Sequence, residues 1–195
     1  MATSRAQQIG IWTIATVLFV GTIGSFVILV LQNDNAAKDS VTSQSDLTKQ
    51  LADQEAQSKA LAQTNADNSE GISGYSAGEF DATSVTALKK EILSAGTGDE
   101  VKSTDSIKAS YFGWTSDGKI FDSSKKKNAD DTPVTFPLTG VIKGWTDGLA
   151  GQRVGSTVKL TIPADQAYGS TGSGIIPANA PLQFIVKIES IEAAE

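Results

Sequence analysis

The sequence predicts a small α+β domain, mostly antiparallel sheet with one short helix, set behind an apolar helix and a polar stalk. Three observations predict it. The stretches SIKASYFGW, STVKLTIP and PLQFIVKIESI alternate apolar and polar residues with period two, the pattern of half-buried strands. Within the same part of the chain only GWTDGLAG, residues 144–151, reads as a helix, and it is short. Far upstream, residues 9–31 form a 23-residue run without a charge. Many strands with one short helix over about 115 residues is an α+β pattern.

In chain order, residues 1–8 carry Arg5 and read as a cytoplasmic tail. A helix over residues 9–31 is about 34 Å long, enough for a hydrocarbon core of about 30 Å. It is apolar all round, unlike a helix on a protein surface. The rival reading, a cleaved signal peptide, calls for a shorter apolar core and a small-residue cleavage site. Arg5 on one side and Asp34, Lys38 and Asp39 on the other orient the N-terminus inward and the bulk of the chain outward. Residues 32–79 hold eight acids, three lysines and few large apolar residues, too few for a core. They read as a solvated stalk. Leu47, Leu51 and Leu61 offer a sparse stripe for a marginal helix between about Val41 and Thr64, with a short oligomerising helix as the alternative to a stalk, and NADNSEGISGYSAGE reads as a flexible linker. From Phe80 the strands begin, punctuated by GTGDE, SDGK and TGSG, all turn signals.

Composition narrows the chemistry. The chain has 195 residues, no Cys and no His. This removes thiol nucleophiles, disulfides, the Ser-His triad and the commonest metal ligand, so neither a metal nor a cofactor is expected. A formal net charge of −6 argues against nucleic acid, whose recognition needs a basic patch. Catalysis must therefore come from binding and electrostatics, or from a carboxylate.

One loop stands out. DQAYGSTGSGIIPANAPLQF, residues 165–184, is rich in Gly and Ser yet contains Ile175, Ile176 and Pro177. Large apolar side chains cost about 1.5–3 kcal/mol each to leave in water, so the loop is expected to fold over something apolar. Taken singly, Phe121, Phe136, Phe184 and Trp145 read as core residues, and Asp122 before two serines reads as a turn cap.

Taken jointly, DGKIFDSS (117–124), VIKGWTDGL (141–149), VGSTVKLTIP (154–163) and AYGSTGSGIIPANAPLQFIVKI (167–188) resemble the FKBP-type peptidyl-prolyl cis-trans isomerases over residues 80–195. The resemblance implies a curved antiparallel sheet of about five strands wrapped around one short helix. It further implies a proline pocket. Tyr111 and the pair Phe121 and Asp122 line its walls. Phe136 is the aromatic of the following strand. Val141 and Ile142 form the rim, with the Ile142 N–H toward a substrate carbonyl. Trp145 is the floor, Tyr168 reaches the ligand, Ile176 lies in a flap over residues 169–181, and Phe184 closes the back. Asp122, Tyr111, Tyr168 and Ile142 are the implied catalytic set. Trp145, Phe121, Phe136, Val141, Ile176, Phe184 and Val134 are the implied substrate-binding set. The sequence departs from the family at Val134, where an aromatic is usual, in the short segment FPLTGV, and in a flap with Ser173 in place of a frequent histidine.

The expectation is therefore an isomerase of X-Pro bonds in unfolded or exported chains, a single-pass membrane protein held through residues 9–31, with its C-terminal domain outside the cytoplasm. Macrolide inhibitors are expected ligands. Two rivals use the same residues differently: a non-catalytic proline-segment binding module or holdase, and a structural tether in which the stalk or anchor is the working part.

Overall fold

The computed structural model describes the backbone of residues 40–192 and the side chains of residues 47–192. Residues 9–31, expected to cross a membrane, lie outside them. Among the described residues no helix is long and apolar enough to cross a membrane.

The elements are α1 (Ser40–Asp67), β1 (Lys89–Ser94), β2 (Ser106–Thr115), β3 (Ile120–Ser123), β4 (Val134–Pro137), α2 (Lys143–Leu149), β5 (Thr157–Ile162) and β6 (Leu182–Glu192). The strands form one antiparallel sheet in the order β1-β5-β6-β2-β3, with β4 also on β2. The sheet thus has six strands where the sequence led us to expect about five. The length of β2 explains the extra one. One of its edges runs along β6 over ten residues, while the other is divided, Ser106–Ala109 pairing with β4 and Phe112–Trp114 with β3.

Period two decides what each face carries. On the front, Ile107, Ala109 and Tyr111 of β2 join Leu182, Phe184, Val186 and Ile188 of β6 and Val158, Leu160 and Ile162 of β5, all buried. Helix α2 lies on this face with Trp145 and Leu149 inward. Two glycines let it approach closely: a Cβ on Gly144 would stand 2.3 Å from Ile162 Cγ2, and one on Gly148 2.8 Å from Leu160 Cδ2.

The back face is also covered, which composition did not indicate. Phe112, Trp114 and Ile185 face it, and Ile72 closes over them at 3% exposure, with Tyr75, Ala77 and Phe80 around it. The Trp114 indole N–H donates to the Gly78 carbonyl at 2.8 Å, and the Phe80 N–H to Ser116 O at 3.0 Å. The segment read as a flexible linker is therefore strapped across the sheet. Its Gly and Ser content hid the three or four apolar residues that do the covering.

Helix α1 runs 28 residues, beyond the marginal helix expected. Leu47, Leu51 and Leu61 point to solvent. The domain is touched instead by smaller residues near the C-terminal end, Ala62 and Ala66, both buried.

Candidate active site

On the front face five aromatic rings meet edge to face. Phe121 on β3 packs on Phe184 of β6 at 5.5 Å between centroids, and Phe184 on Trp145 of α2 at 5.4 Å. Trp145 meets Phe136 of β4 at 5.2 Å and Tyr111 of β2 at 5.3 Å, and Tyr111 meets Phe136 at 5.3 Å. Interplanar angles of 73–84° set ring edges against ring faces, which the aromatic quadrupole favours by about 0.5–1.5 kcal/mol per pair beyond burial. The rings come from five different elements, so only the folded sheet with α2 packed on it brings them together.

Gly113 makes room for them. It pairs with Phe184 on one side and Asp122 on the other, and a Cβ there would lie 2.4 Å from the Phe184 ring and 2.6 Å from that of Phe121. This residue was not singled out from sequence, although a glycine interrupting SYFGW is a signal of close approach within a strand.

The polar end of the site is Asp122, 3% exposed. One carboxylate oxygen accepts a short hydrogen bond from the Tyr111 hydroxyl. The other accepts from the Ser123 N–H at 2.8 Å, the Asn65 side-chain amide at 2.7 Å and the Lys126 ammonium at 3.4 Å. Burial, followed by the charge and hydrogen bond of Asp122, raises the Tyr111 pKa well above the usual phenol value. Burial and then Asp122 raise that of Tyr168. Both phenols are therefore neutral donors at physiological pH. Burial lowers the Lys126 pKa, and the opposing pull of Asp122 only partly offsets it.

Loop 169–181 folds over this cluster as expected. Ser173 and Ile176 exchange backbone hydrogen bonds at 3.0 and 2.8 Å, and the Asn179 N–H donates to Gly169 O at 2.8 Å. Ile176 is buried in the same cluster and Ile175 packs against it, whereas Pro177 is exposed. Ile142, the residue before α2, and the half-buried Val141 belong to the cluster too, as does Val134, on the same side of β4 as Phe136. The structure thus gathers all eleven residues singled out from sequence around one cluster. Two polar atoms in it are buried without a partner, the Trp145 indole N–H and the Tyr168 hydroxyl. Asn65 and Lys126, which also hold Asp122, were missed. Asn65 reaches Asp122 across 57 residues, which leaves no local pattern to read, whereas Lys126 stands four residues from Asp122 in KKK, a run of like residues that does not say which lysine turns back.

This arrangement defines an enclosed aromatic site with neutral hydroxyl donors and one buried carboxylate. Comparison with known proteins identifies the class. The family model for the FKBP-type peptidyl-prolyl cis-trans isomerases matches residues 98–189. The chain is 32% identical to the FKBP-type isomerase FkpA of Aeromonas hydrophila over 197 aligned residues, covering 96% of this chain and 69% of that one. It is 39% identical to FkpA of Escherichia coli K12 over 112 residues, 57% of this chain and 40% of the relative. A crystal structure of a peptidyl-prolyl cis-trans isomerase from Pseudomonas syringae pv. tomato is 28% identical, with a TM-score of 0.49, over 75% of this chain and 96% of that one. The chain belongs to the FKBP-type peptidyl-prolyl cis-trans isomerases.

Proposed function

We propose that this isomerase acts on X-Pro bonds of unfolded or newly exported polypeptides outside the cytoplasmic membrane, held there by residues 9–31. The observation that carries the chemical part is the enclosed ring cluster closed at one end by Asp122 and the Tyr111 hydroxyl. The uncharged run of residues 9–31 supports the anchor, and the outward orientation follows from Arg5 before it. Macrolides that mimic a proline segment would enter the same cluster.

The barrier to turning an X-Pro bond is lost amide resonance, about 18–20 kcal/mol. Bringing isomerisation from tens of seconds to milliseconds needs about 10⁴-fold, or about 5.5 kcal/mol. No bond need be made or broken, which suits a chain without His or Cys. A twisted amide is less dipolar than a planar one, so an apolar enclosure disfavours the planar ground state relative to the transition state. Trp145, Phe121, Phe136 and Phe184 would hold the pyrrolidine ring. The Ile142 N–H would orient the carbonyl of the proline residue. The unpartnered Tyr168 hydroxyl would bond the substrate backbone. Asp122 and Tyr111 would act as one hydrogen-bonded unit that orients the twisting amide.

The test is cis-trans exchange of a tetrapeptide with an apolar residue before proline, measured by NMR on the full chain in detergent. Acceleration over buffer is expected. Asp122→Asn, which keeps size but removes the charge, should lower kcat/KM about tenfold, or about 1.4 kcal/mol, while the protein stays folded. Peptide binding without acceleration would replace this reading by a proline-segment holdase. Protease added to intact cells should release the domain; protection would overturn the outward orientation.

A further inference from the structure

The last two turns of α1 lie over the isomerase site, and we propose that they form an intramolecular gate that substrate must displace. Two contacts place the gate. Ala62 sits against the flap, where a Cβ on Gly174 would stand 2.9 Å from its own. One turn on, the Asn65 amide donates to the Asp122 carboxylate at 2.7 Å. Ile176 of the flap and, through Tyr111, Asp122 both border the ring cluster, so the helix touches two separate parts of its rim. Ala62 and Ala66 are 6% and 9% exposed, whereas Leu61 beside them is 61% exposed. Around these contacts Tyr111, Trp145 and Phe184 are each 1% exposed, so a proline segment has no open way to the rings in this arrangement.

The contact is built to be reversible. It consists of two alanines and one side-chain amide, which donates to Asp122 and accepts from the Lys126 ammonium at 2.7 Å, while the leucines that would bind tightly face away. Beyond the helix the chain is fixed independently. The Lys127 N–H donates to Asn68 O at 2.8 Å, the Glu70 N–H to Lys125 O at 3.1 Å, and the Ser123 hydroxyl to Glu70 O at 2.6 Å. Residues 68–70 therefore remain on the sheet when the helix lifts, and act as its hinge. The apparent affinity for substrate is the intrinsic one reduced by the fraction of open molecules. The gate rests on the isomerase reading of the site, so its test reads peptide binding alongside catalysis.

The experiment uses the full chain and two variants. Ala62→Glu puts a charge into the flap contact and should lift the helix. An increase of about 5- to 50-fold in kcat/KM, the range of an ordinary intramolecular coupling, is expected, with tighter binding of a proline tetrapeptide by the same factor. The double variant Ala62→Cys/Gly174→Cys uses a chain that has no other cysteine. The two Cβ positions need move apart by only about 1 Å to reach disulfide geometry. Oxidised, it should lose at least about tenfold in kcat/KM and in peptide affinity relative to the same protein reduced, by the same open-fraction relation. Unchanged or lower activity and affinity in a folded Ala62→Glu protein, or equal behaviour of the oxidised and reduced pair, would overturn the gate. If no form catalyses but Ala62→Glu still binds the peptide more tightly, the gate stands and the isomerase reading of the full chain falls.

Discussion

Both faces of the sheet carry a buried apolar cluster, and the two are built in opposite ways. The front is closed by residues from five elements of the domain itself, whose rings meet at 5.2–5.5 Å in edge-to-face pairs. The back is closed by a strap from before the domain, in which Ile72, Tyr75, Ala77 and Phe80 lie over the stacked rings of Phe112 and Trp114. On the front, two glycines of α2 and Gly113 are spent on close approach, and polar atoms are left without partners. On the back, the one indole N–H is satisfied by Gly78 O. The front keeps unmet hydrogen-bonding capacity at the proposed substrate site. The back is finished, and its task is to hold the sheet.

The largest effect that would test this contrast is Trp145→Ala. Removing a buried indole from the centre of the ring cluster should cost about 3–5 kcal/mol of stability and abolish measurable isomerase activity, read by urea unfolding and peptide exchange. A folded variant with intact activity would show that the cluster is core and not site.

Ile72→Ala, on the back, should destabilise by about 2–4 kcal/mol through the cavity it leaves. Its kcat/KM, measured well below the midpoint of unfolding, should stay within about twofold, because additivity holds for sites without shared partners. A stability change close to zero would mean that the strap over residues 71–80 contributes nothing. Loss of activity without unfolding would mean that the two faces are coupled.

Val134→Phe sharpens the front alone. Val134 packs on the cluster from the strand position two before Phe136. A ring there should add about 0.5–1.5 kcal/mol of aromatic contact, raising kcat/KM or macrolide affinity about 2- to 10-fold in calorimetric titration. Unchanged affinity in an equally stable protein would remove Val134 from the site.

The smallest effect concerns pH. Tyr111 and Tyr168 are raised above the usual phenol range, so both stay protonated and kcat/KM should be flat between pH 6 and 8. Acid stability responds elsewhere. Asp117, in the turn between β2 and β3, is lowered from 3.8 to about 2, first by its bond with Lys119 and then by the Thr115 hydroxyl. A carboxylate held down in the folded state adds stability above its unfolded pKa and loses it as pH falls through the folded one. Asp117→Asn should therefore reduce stability slightly at pH 7 and by less at pH 2, in melts across that window. The group is half-exposed, so solvent screening keeps the effect small. A pH-dependent kcat/KM with no change in melting would show that a site group titrates after all.

Much of the molecule was legible because it is written locally. Period-two runs fixed β2, β5 and β6 nearly to the residue, GWTDGLAG fixed α2, and the family resemblance carried by four motifs implied one site that holds Tyr111, Phe121, Asp122, Phe136, Trp145, Tyr168, Ile176 and Phe184. Stranding at β4 was harder, since four residues give too short a period to read. The charge balance and the absence of His and Cys set the chemistry to binding and electrostatics before any fold was considered.

What only the tertiary structure decided is where the low-complexity residues 40–80 go. Local composition reports average solubility, and this segment is soluble on average. Docking depends instead on a few side chains meeting a surface that exists only once the sheet has formed. Ile72 is buried because Phe112 and Trp114 stand opposite it, and Asn65 reaches Asp122 because 57 residues of chain have folded back to bring them together. Likewise, Ala62 rather than Leu61 of α1 meets the flap, where a Cβ on Gly174 would stand 2.9 Å from its methyl carbon. Sequence determines which residues are able to pack; the folded sheet determines which of them find a partner.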